Sequence, residues 1–401
     1  MRQEACRRYI YVVMVLALAI RVAYAVITPP FQAPDEYSHY SYVRYVHDSR
    51  ELPVQSSTTV RPEELQFHQP PLYYTLASTL FPSTNLIEDR QALPLRGINI
   101  VLAMLTIWVA YQFALTVWPN NPFNVALIST CVAFLPTYSY ISATIRNGVL
   151  ATFLCSLGFY FCAKAFGKSD GWDSRWGWIG IIGGLAVISK LTAIGFVAGT
   201  GLAILVTAQS WRMLVRRAGW FGLGFLLVAG WWFARNWLVY GHPVMVVETG
   251  FQSAHAGMDF LPHLRSMWIV IFKTFWAVFG RINEIYFQDI YRFFWWFSGI
   301  AFLGLIRYAA QRRHDISTGL MTCLTGAIAA SFALTTYYAY NYDSDQGRYL
   351  FPVLIPIATF ITVGFGALVP SRYHQWALYS VLIALAGVNM LVLYRMATIY
   401  G

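Results

Sequence analysis

The sequence predicts an all-α polytopic membrane protein with about eleven transmembrane helices. Of its 401 residues, 57% are hydrophobic and only 11% are charged, against roughly 25% charged residues in a soluble domain. Apolar runs recur along the whole chain, separated by short polar gaps and by no linker rich in serine, glycine or proline. Residues 1–401 are therefore expected to form a single integral membrane domain.

A membrane-spanning helix needs about 20 mainly apolar residues. Candidate runs lie near 9–28, 94–117, 123–142, 148–166, 176–189, 191–209, 217–238, 291–309, 316–338, 349–368 and 376–396. The run 266–280, SMWIVIFKTFWAVFG, is too short to span and contains Lys273. It is typical of an amphipathic helix lying at the membrane interface.

The distribution of basic residues predicts the orientation. With the amino terminus in the cytoplasm, the cytoplasmic side carries 13 basic and four acidic residues, as expected where positive charge accumulates inside. This places residues 29–92 outside as a first outer loop that carries amphipathic helices. Residues 239–290 form a second large outer loop, which contains the interfacial helix. The unusual polar groups of the chain then gather on the outer face.

Net charge and cysteine usage exclude several classes of protein. The net charge is +10, but Lys and Arg are scattered at the ends of apolar runs, so no nucleic-acid partner is expected. The five cysteines include no C-x-x-C pair, and neither a disulfide framework nor a zinc site is indicated.

The first apolar run has two interpretations. Arg7-Arg8, the run itself and Ala23-Tyr24-Ala25 imitate a secretory signal peptide with its cleavage site. Arg21 interrupts the run just before that site. We therefore favour an uncleaved first span and keep cleavage as the alternative.

The stretch TPPFQAPDEYSHY follows directly on the first span and contains two adjacent carboxylates. Pro34 suits the first position of a helix, which would put Asp35 and Glu36 in its first turn and His39 four residues beyond Asp35. The pair lies shortly after the end of a span, where a carboxylate near the headgroup layer is costly unless it is used. Alternatively, the carboxylates only complement the dipole of the helix.

A second polar stretch, FHQPPLYY, places His68 before Pro70-Pro71 and Tyr73 after them. Two prolines give a rigid entry to the next segment, which would hold His68 in a fixed position near the surface. The alternative is a loop-to-helix junction with an interfacial aromatic belt.

Basic residues stand at the outer ends of three further spans: Lys190, Arg235 and Arg348. Each could be an interfacial anchor whose charged end reaches water. Lys190 is the least ordinary, because it lies between two short apolar runs with almost no polar loop. Burying a charge there costs on the order of 3 kcal/mol, and an anionic partner such as a lipid phosphate would offset that cost.

Six motifs, in order, carry a resemblance to a known family: PPFQAPDEYSHY, HQPPLYYTL, GLAVISKLT, WFARNWLVYGHP, FKTFWAVFG and QGRYLFPVLIP. In these the chain resembles the bacterial membrane-protein family catalogued as domain of unknown function 2142, which is grouped with the GT-C glycosyltransferases. The resemblance implies a GT-C-like helical bundle in the bacterial cytoplasmic membrane. It also implies transfer of a sugar from a polyprenyl-phosphate donor to an acceptor hydroxyl of a glycan, lipid or protein, on the outer side.

The resemblance further implies roles for individual residues. Asp35 would be the general base, with Glu36 and His39 as supporting groups, since the attacking hydroxyl must lose a proton. The growing charge on the leaving phosphate would be stabilised by basic side chains. The implied substrate-binding and phosphate-binding residues are His68, Tyr73, Lys190, Arg235, Asn236, Gln346, Arg348 and Tyr349.

One stretch departs from the pattern of the family. Its members usually carry an acidic element at the outer start of the fourth span, whereas this chain has Arg146-Asn147-Gly148. Asp35 and Glu36 alone make a poor oxygen cage for a divalent cation. No cofactor is therefore expected, and a catalytic metal is disfavoured.

Two other classes of protein remain as alternatives. A transporter or flippase of lipid-linked glycans would also need basic groups near phosphate, but it should have polar groups lining a path through the membrane, and Arg21 is the clearest ionisable residue at mid-depth. A non-catalytic scaffold predicts that Asp35→Asn leaves function intact.

Overall fold

A computed structural model describes residues 3–55, 61–82, 87–167, 174–245, 260–280, 288–312, 315–342 and 345–401. Throughout these ranges the chain forms helices joined by short connecting segments, as the sequence predicts. Part of the predicted second outer loop, residues 246–259 and 281–287, lies outside the described residues.

Fifteen α-helices lie in the described residues. They are α1 (Gln3–Ile27), α2 (Glu36–Ser49), α3 (Leu72–Thr79), α4 (Glu88–Val117), α5 (Pro122–Phe134), α6 (Pro136–Ile141), α7 (Asn147–Gly167), α8 (Arg175–Val187), α9 (Ile194–Thr207), α10 (Trp211–Tyr240), α11 (Phe260–Trp276), α12 (Gln288–Ala310), α13 (Thr318–Tyr342), α14 (Leu354–Leu368) and α15 (His374–Tyr400). Short 3-10 helices lie at Pro62–Glu64, Leu191–Ala193, Gly347–Val353 and Ser371–Tyr373.

Each of the eleven predicted runs coincides with one of these helices or, for 123–142, with the pair α5 and α6. In the described part of the chain, eight helical segments are long and apolar enough to cross a membrane, and Pro122–Phe134 and Leu191–Thr207 are shorter apolar helices. The chain is therefore an integral membrane protein, as predicted. The eight are Cys6–Ile27, Glu88–Val117, Asn147–Gly167, Trp211–Tyr240, Gln288–Ala310, Thr318–Tyr342, Gly347–Leu368 and Ser371–Tyr400.

The break between α5 and α6 lies at Leu135-Pro136, where proline cannot continue the hydrogen bonding of the preceding turn. The carbonyl groups freed by this break need other donors inside an apolar bundle. The buried side chain of Arg21 donates to Ala133 O at 3.0 Å, and that of Asn389 donates to Phe134 O at 3.0 Å. The charge of Arg21 thus serves the internal architecture of the bundle.

Small residues allow α8 and α10 to pack closely. A Cβ atom on Gly180 would lie 2.1 Å from Phe221 O, and one on Gly224 would lie 2.1 Å from Gly177 O. Only glycine lets the two backbones approach this far, as in many helix pairs in membranes. The same packing holds the end of α8, and with it the segment that contains Lys190.

Helix α11 contains residues 266–276 of the predicted interfacial run 266–280, and it packs inward through Met267, Ile271 and Phe275, which are buried at helical spacing. It supports the 3-10 helix Gly347–Val353. Thr274 Oγ1 accepts a hydrogen bond from Gly347 N at 2.7 Å, and a Cβ on Gly347 would lie 2.2 Å from Phe275 N. Helix α11 therefore fixes the position of Arg348, the next residue.

Candidate functional site

Asp35 has an unusual backbone conformation just before α2. Its φ and ψ angles are 60° and 4°, in the left-handed region, which aspartate tolerates better than most residues. The carboxylate does not cap α2 and is turned elsewhere. The prediction that the helix begins at Pro34 is wrong by two residues, because the left-handed Asp35 delays its start to Glu36. His39 N still bonds to Asp35 O at 3.0 Å.

The Asp35 carboxylate lies between two arginines from distant parts of the chain. Arg348 Nη2 donates a hydrogen bond to Asp35 Oδ2, and Arg146 Nη1 lies 3.9 Å from the same oxygen. The Asp35 side chain is 30% exposed, whereas those of Arg348 and Arg146 are 7% and 1% exposed. A ligand can thus reach the carboxylate, and the guanidinium groups lie behind it.

These charges determine the ionisation of Asp35. Burial would raise the pKa of the carboxyl, but the nearby guanidinium groups of Arg348 and Arg146 outweigh burial and hold its pKa well below the usual range. Burial lowers the pKa of Arg146 to about 10, which leaves it protonated at neutral pH. Asp35 is therefore an ionised, ion-paired carboxylate in the unliganded protein.

Lys190 lies beside this group, in the sharp connection between α8 and the 3-10 helix Leu191–Ala193. Its Nζ atom is 3.4 Å from the position of a Cβ on Gly148 and 5.2 Å from the centroid of the Tyr349 ring. Burial, then repulsion by Arg348 and Arg146, lowers the pKa of the Lys190 ammonium well below its usual value. A bound anion would favour the charged form.

We call Arg146, Lys190 and Arg348 the cation cluster. Among the described residues, Arg146 Nε and both Nε and Nη1 of Arg348 are buried without a hydrogen-bond partner. Lys190 Nζ has neither an ion pair nor a hydrogen bond in the same part of the chain. Buried N–H groups of this kind carry a desolvation cost that an anionic ligand would remove. The cluster is therefore a candidate site for an anion.

The segment 142–146, which presents Arg146, is held on several sides. Asn99 Nδ2 donates to the carbonyl oxygens of Thr144 and Arg146 at 2.5 and 3.0 Å. The hydroxyl of Tyr73 accepts a hydrogen bond from Arg146 N at 3.2 Å. Tyr73 and Asn99 are fully buried, so the backbone beneath Arg146 is rigid. Tyr73 contacts the site through this backbone bond.

Glu36 lies next to Asp35 in sequence but has a separate environment. Its carboxylate accepts two hydrogen bonds from Arg96, Nε to Oε1 and Nη2 to Oε2, both 2.7 Å long. It also accepts from the backbone N–H groups of Ile145 and Phe31, at 3.0 and 3.1 Å. The Glu36 and Arg96 side chains are 0% and 2% exposed. This bidentate pair ties the start of α2 to α4 and to the segment that carries Arg146.

Replacement of Glu36 by alanine is expected to destabilise the protein strongly. Breaking a buried ion pair leaves an uncompensated charge and costs about 3–5 kcal/mol, so the midpoint of thermal unfolding in detergent should fall. Glu88→Ala is the matched control, because Glu88 pairs with Arg44 at the surface with both side chains about half exposed, where a pair contributes about 1 kcal/mol or less. Equal midpoints for the two variants would contradict the structural role of Glu36.

The two histidines of the predicted site are both neutral, and His39 is buried whereas His68 is only partly buried. His39 Nδ1 lies 2.8 Å from the hydroxyl of Tyr74; burial and repulsion by Arg146 lower the pKa of His39 well below its usual value. Burial lowers the pKa of His68 to about 4. Because neither ring is protonated at neutral pH, neither offers a positive charge to a phosphate.

His68 is nevertheless connected to the cation cluster through hydrogen bonds. Its Nε2 lies 3.0 Å from Gln69 Nε2, and Gln69 Oε1 accepts from Asn147 Nδ2 at 3.3 Å. The same Asn147 nitrogen donates to Ser189 O at 3.0 Å, next to Lys190. The structure thus brings the second predicted stretch to the same end of the bundle as Asp35.

Arg235 and Asn236 lie on α10 and contact a different segment. Arg235 Nη2 donates to Pro53 O at 2.8 Å, and its guanidinium lies 5.0 Å from the centroid of the Trp232 ring. Asn236 Nδ2 donates to Pro243 O at 3.2 Å. These contacts hold the chain after α2 against the end of α10 and do not reach Asp35.

Tyr349 and Gln346 flank Arg348. The Tyr349 ring lies under both Lys190 Nζ, at 5.2 Å, and Arg348 Cζ, at 5.9 Å. An aromatic face attracts cations at such distances, so Tyr349 holds the two basic groups near each other. Gln346 precedes the 3-10 helix, and its carbonyl oxygen accepts from Tyr349 N at 3.2 Å.

Neither acidic side chain near the site suits a divalent cation. One oxygen of Asp35 is occupied by two arginines, and the carboxylate of Glu36 is saturated by Arg96 and two backbone N–H groups. Among the described residues, no three His, Cys, Asp or Glu side chains are grouped to hold a metal ion. The donor set beside Asp35 is cationic, whereas Mg²⁺ and Ca²⁺ prefer several oxygen ligands.

Sequence reasoning missed three residues of this arrangement. Arg146 was noticed only as a departure from an acidic pattern, yet it shares Asp35 with Arg348. Arg96, an ordinary basic residue at the start of a span, is the partner of Glu36. Tyr74, next to the predicted Tyr73, is the residue that bonds to His39. No local signal marks Arg96 or Tyr74, since both acquire their partners through tertiary packing.

Comparison with known proteins gives structural neighbours. No protein-family model matches this chain, and no curated protein matches it by sequence. The resemblance to the family of domain of unknown function 2142 therefore stays a prediction.

Three solved structures show a similar fold. ArnT from Cupriavidus metallidurans bound to undecaprenyl phosphate aligns with a TM-score of 0.58 and 15% identity, covering 100% of this chain and 75% of that one. The Archaeoglobus fulgidus oligosaccharyltransferase tethered with an acceptor peptide aligns at 0.56 and 12%, covering 97% and 55%. The oligosaccharyltransferase AglB from the same organism, with an inhibitory peptide and a dolichol-phosphate, aligns at 0.52 and 12%, covering 98% and 55%.

These likenesses define the class of fold. The chain shares the polytopic helical fold of ArnT and of the Archaeoglobus fulgidus oligosaccharyltransferase, and the sequence predicts such an all-helical membrane fold. It spans about half the length of the oligosaccharyltransferases. Since one fold can host unrelated functions, function must be argued from the site itself.

Proposed function

We propose that this protein transfers a single sugar from a polyprenyl-phosphate donor to an acceptor hydroxyl at the outer face of the bacterial cytoplasmic membrane. One observation carries the proposal: a partly exposed carboxylate, Asp35, lies beside two buried arginines and the half-buried Lys190 at one end of an apolar bundle. The fold shared with ArnT bound to undecaprenyl phosphate supports a lipid phosphate as the anion that the cluster receives.

The reaction needs one base and one set of cations. The acceptor hydroxyl oxygen attacks the anomeric carbon of the sugar while Asp35 takes the hydroxyl proton. The bond from the anomeric carbon to the phosphate oxygen breaks, and its electron pair stays on the phosphate, which gains one negative charge. Arg146, Lys190 and Arg348 stabilise that charge as it develops. The products are the glycosylated acceptor and polyprenyl phosphate. A single displacement of this kind inverts the anomeric configuration.

The remaining predicted residues take supporting positions in this proposal. Glu36 fixes the start of α2 through Arg96, and His39 packs beneath Asp35 with Tyr74. Tyr73 orders the backbone of Arg146. Four predicted residues are either neutral or distant from Asp35. We propose that they support the shape of the site and do not stabilise the phosphate charge; they are His68, Arg235, Asn236 and Gln346.

The topology count supports the orientation, with the amino terminus in the cytoplasm and the site outside. The segments that meet at Asp35 are those assigned to the outer side by the distribution of basic residues. The acceptor is a glycan, a lipid or a protein, since nothing in the cluster distinguishes them.

The transport alternative is weakened by the environment of Arg21. Its guanidinium donates to Ala17 O, Ala133 O and Ser142 Oγ at 3.0–3.1 Å, so this charge is engaged inside the bundle. A polar path would need such a group to face an aqueous cavity. The gathering of charged side chains at one end favours an enzyme.

Purified protein incubated with a panel of polyprenyl-phosphate sugars and candidate acceptors should form product with at least one donor. Mass spectrometry of the acceptor should show one added sugar, and release of polyprenyl phosphate should match it in amount. Because the cationic site does not suit a divalent metal, the product yield should be unchanged by EDTA. Absence of product from every donor would contradict the proposed function, and complete loss in EDTA with rescue by a metal would contradict only its metal independence.

A further inference from the structure

The base and the phosphate-binding groups of the proposed reaction are bound to each other in this structure. Arg348 Nη2 and Arg146 Nη1 both face Asp35 Oδ2. Phosphate and carboxylate oxygens accept hydrogen bonds from the same guanidinium N–H groups. A phosphate that enters the cation cluster must therefore share these arginines with Asp35 or displace it from them.

We propose that the donor phosphate competes with Asp35 for Arg146 and Arg348, so that donor binding releases the carboxylate to act as the base. The inference rests on the proposed function and adds an order of events to it. Without donor, Asp35 is held in ion pairs and is a weak proton acceptor. With donor bound, the arginines are occupied by phosphate, and Asp35 faces the acceptor hydroxyl.

The accessibility of the three side chains supports this order. The arginines are almost fully buried, whereas Asp35 is partly exposed in front of them. An anion approaching the arginines from the exposed side of Asp35 meets the carboxylate first, and both are negatively charged. Turning Asp35 away from the arginines relieves that repulsion.

The other groups around Asp35 allow the change. The charged or titratable side chains that act on it from neighbouring elements are Arg146, Lys190, Arg348, His39 and Tyr74. The pKa of Asp35 is held low by Arg348 and Arg146 before any other neighbour, and His39 is neutral. A phosphate bound to these two arginines would offset part of their charge and so raise the basicity of the carboxylate, because no other basic side chain among the described residues forms an ion pair with it.

The test is the affinity of the full-length protein for undecaprenyl phosphate, which carries no sugar and cannot turn over. Asp35→Asn removes the competing charge, so the dissociation constant should fall at least about tenfold, as expected for loss of a like charge within several ångströms at a partly buried site. Asp35→Ser gives a second neutral replacement and should have the same effect. Asp48→Asn on the same helix is the matched control, since Asp48 pairs with Arg44 at the surface, and its affinity should equal that of the wild type.

Unchanged or weaker binding by both Asp35 variants, with measurable binding by the wild type, would overturn the competition and leave the proposed function standing. Absence of binding by the wild type and by all variants would overturn the proposed phosphate site as well. Tighter binding that also appears in Asp48→Asn would reveal a general charge effect and likewise overturn the competition.

Discussion

Asp35→Asn is expected to reduce the turnover number for sugar transfer by about 10²–10⁴-fold, the range for loss of a positioned general base. The asparagine side chain fits the same space but cannot accept the proton of the acceptor hydroxyl. The substitution should lower kcat and leave the KM for the acceptor unchanged, because other groups bind the acceptor. Initial rates at saturating acceptor and donor measure it.

Two comparisons make this result specific. Asp48→Asn removes a carboxylate from the same helix at an exposed surface pair and should retain the full rate. Asp35→Glu keeps the charge but moves it by one methylene, and should recover part of the activity. A rate in Asp35→Asn equal to that of the wild type would reject the base assignment.

The prominence of Asp35 could be predicted because its signal is local. A carboxylate directly after an apolar run is conspicuous in the sequence, and counting charges on the two sides of the membrane assigns it to a face. The spans were predictable for the same reason, since about 20 apolar residues in a row are needed to cross a bilayer. The exact boundaries of the helices could not be predicted in this way, because Pro136 divides one predicted span and Asp35 delays the start of α2.

The partners of each side chain could not be predicted in this way. Asp35 and Arg348 are 313 residues apart in the chain, and the topology count says only that both lie on the outer side. Position around the bundle decides which basic residue reaches Asp35. Arg146 does so, whereas Arg235, on the same predicted face, contacts Pro53.

Adjacent residues can also have different environments that the sequence does not indicate. In the sequence Asp35 and Glu36 look like one acidic pair, yet Asp35 is partly exposed and Glu36 is enclosed by Arg96 and backbone N–H groups. The left-handed conformation of Asp35 turns the two side chains apart. Aspartate tolerates this conformation better than most residues, but the residue type alone does not predict where it occurs.

Arg348→Gln is expected to weaken undecaprenyl phosphate binding and to lower kcat together. Glutamine keeps a hydrogen-bond donor but removes a buried charge that faces the leaving phosphate. The loss of one such electrostatic donor costs about 2.7–4 kcal/mol in the transition state, or about 10²–10³-fold in rate. The loss should be larger in kcat/KM for the donor than in kcat, because the same charge also binds the donor before it reacts.

Two other variants serve as controls for Arg348→Gln. Arg292→Gln removes an arginine from a surface pair with Asp289 in which both side chains are mostly exposed, and should leave both constants unchanged. Arg348→Lys keeps the charge without the planar group that reaches Asp35, and its kcat and affinity for the donor should be intermediate.

The double variant of Arg348 and Asp35 tests the proposed competition. If the competition holds, Arg348→Gln also frees Asp35 in the absence of donor, so Asp35→Asn should tighten phosphate binding less in this background than in the wild type. An equal effect in both backgrounds would show that Asp35 and the phosphate do not share Arg348.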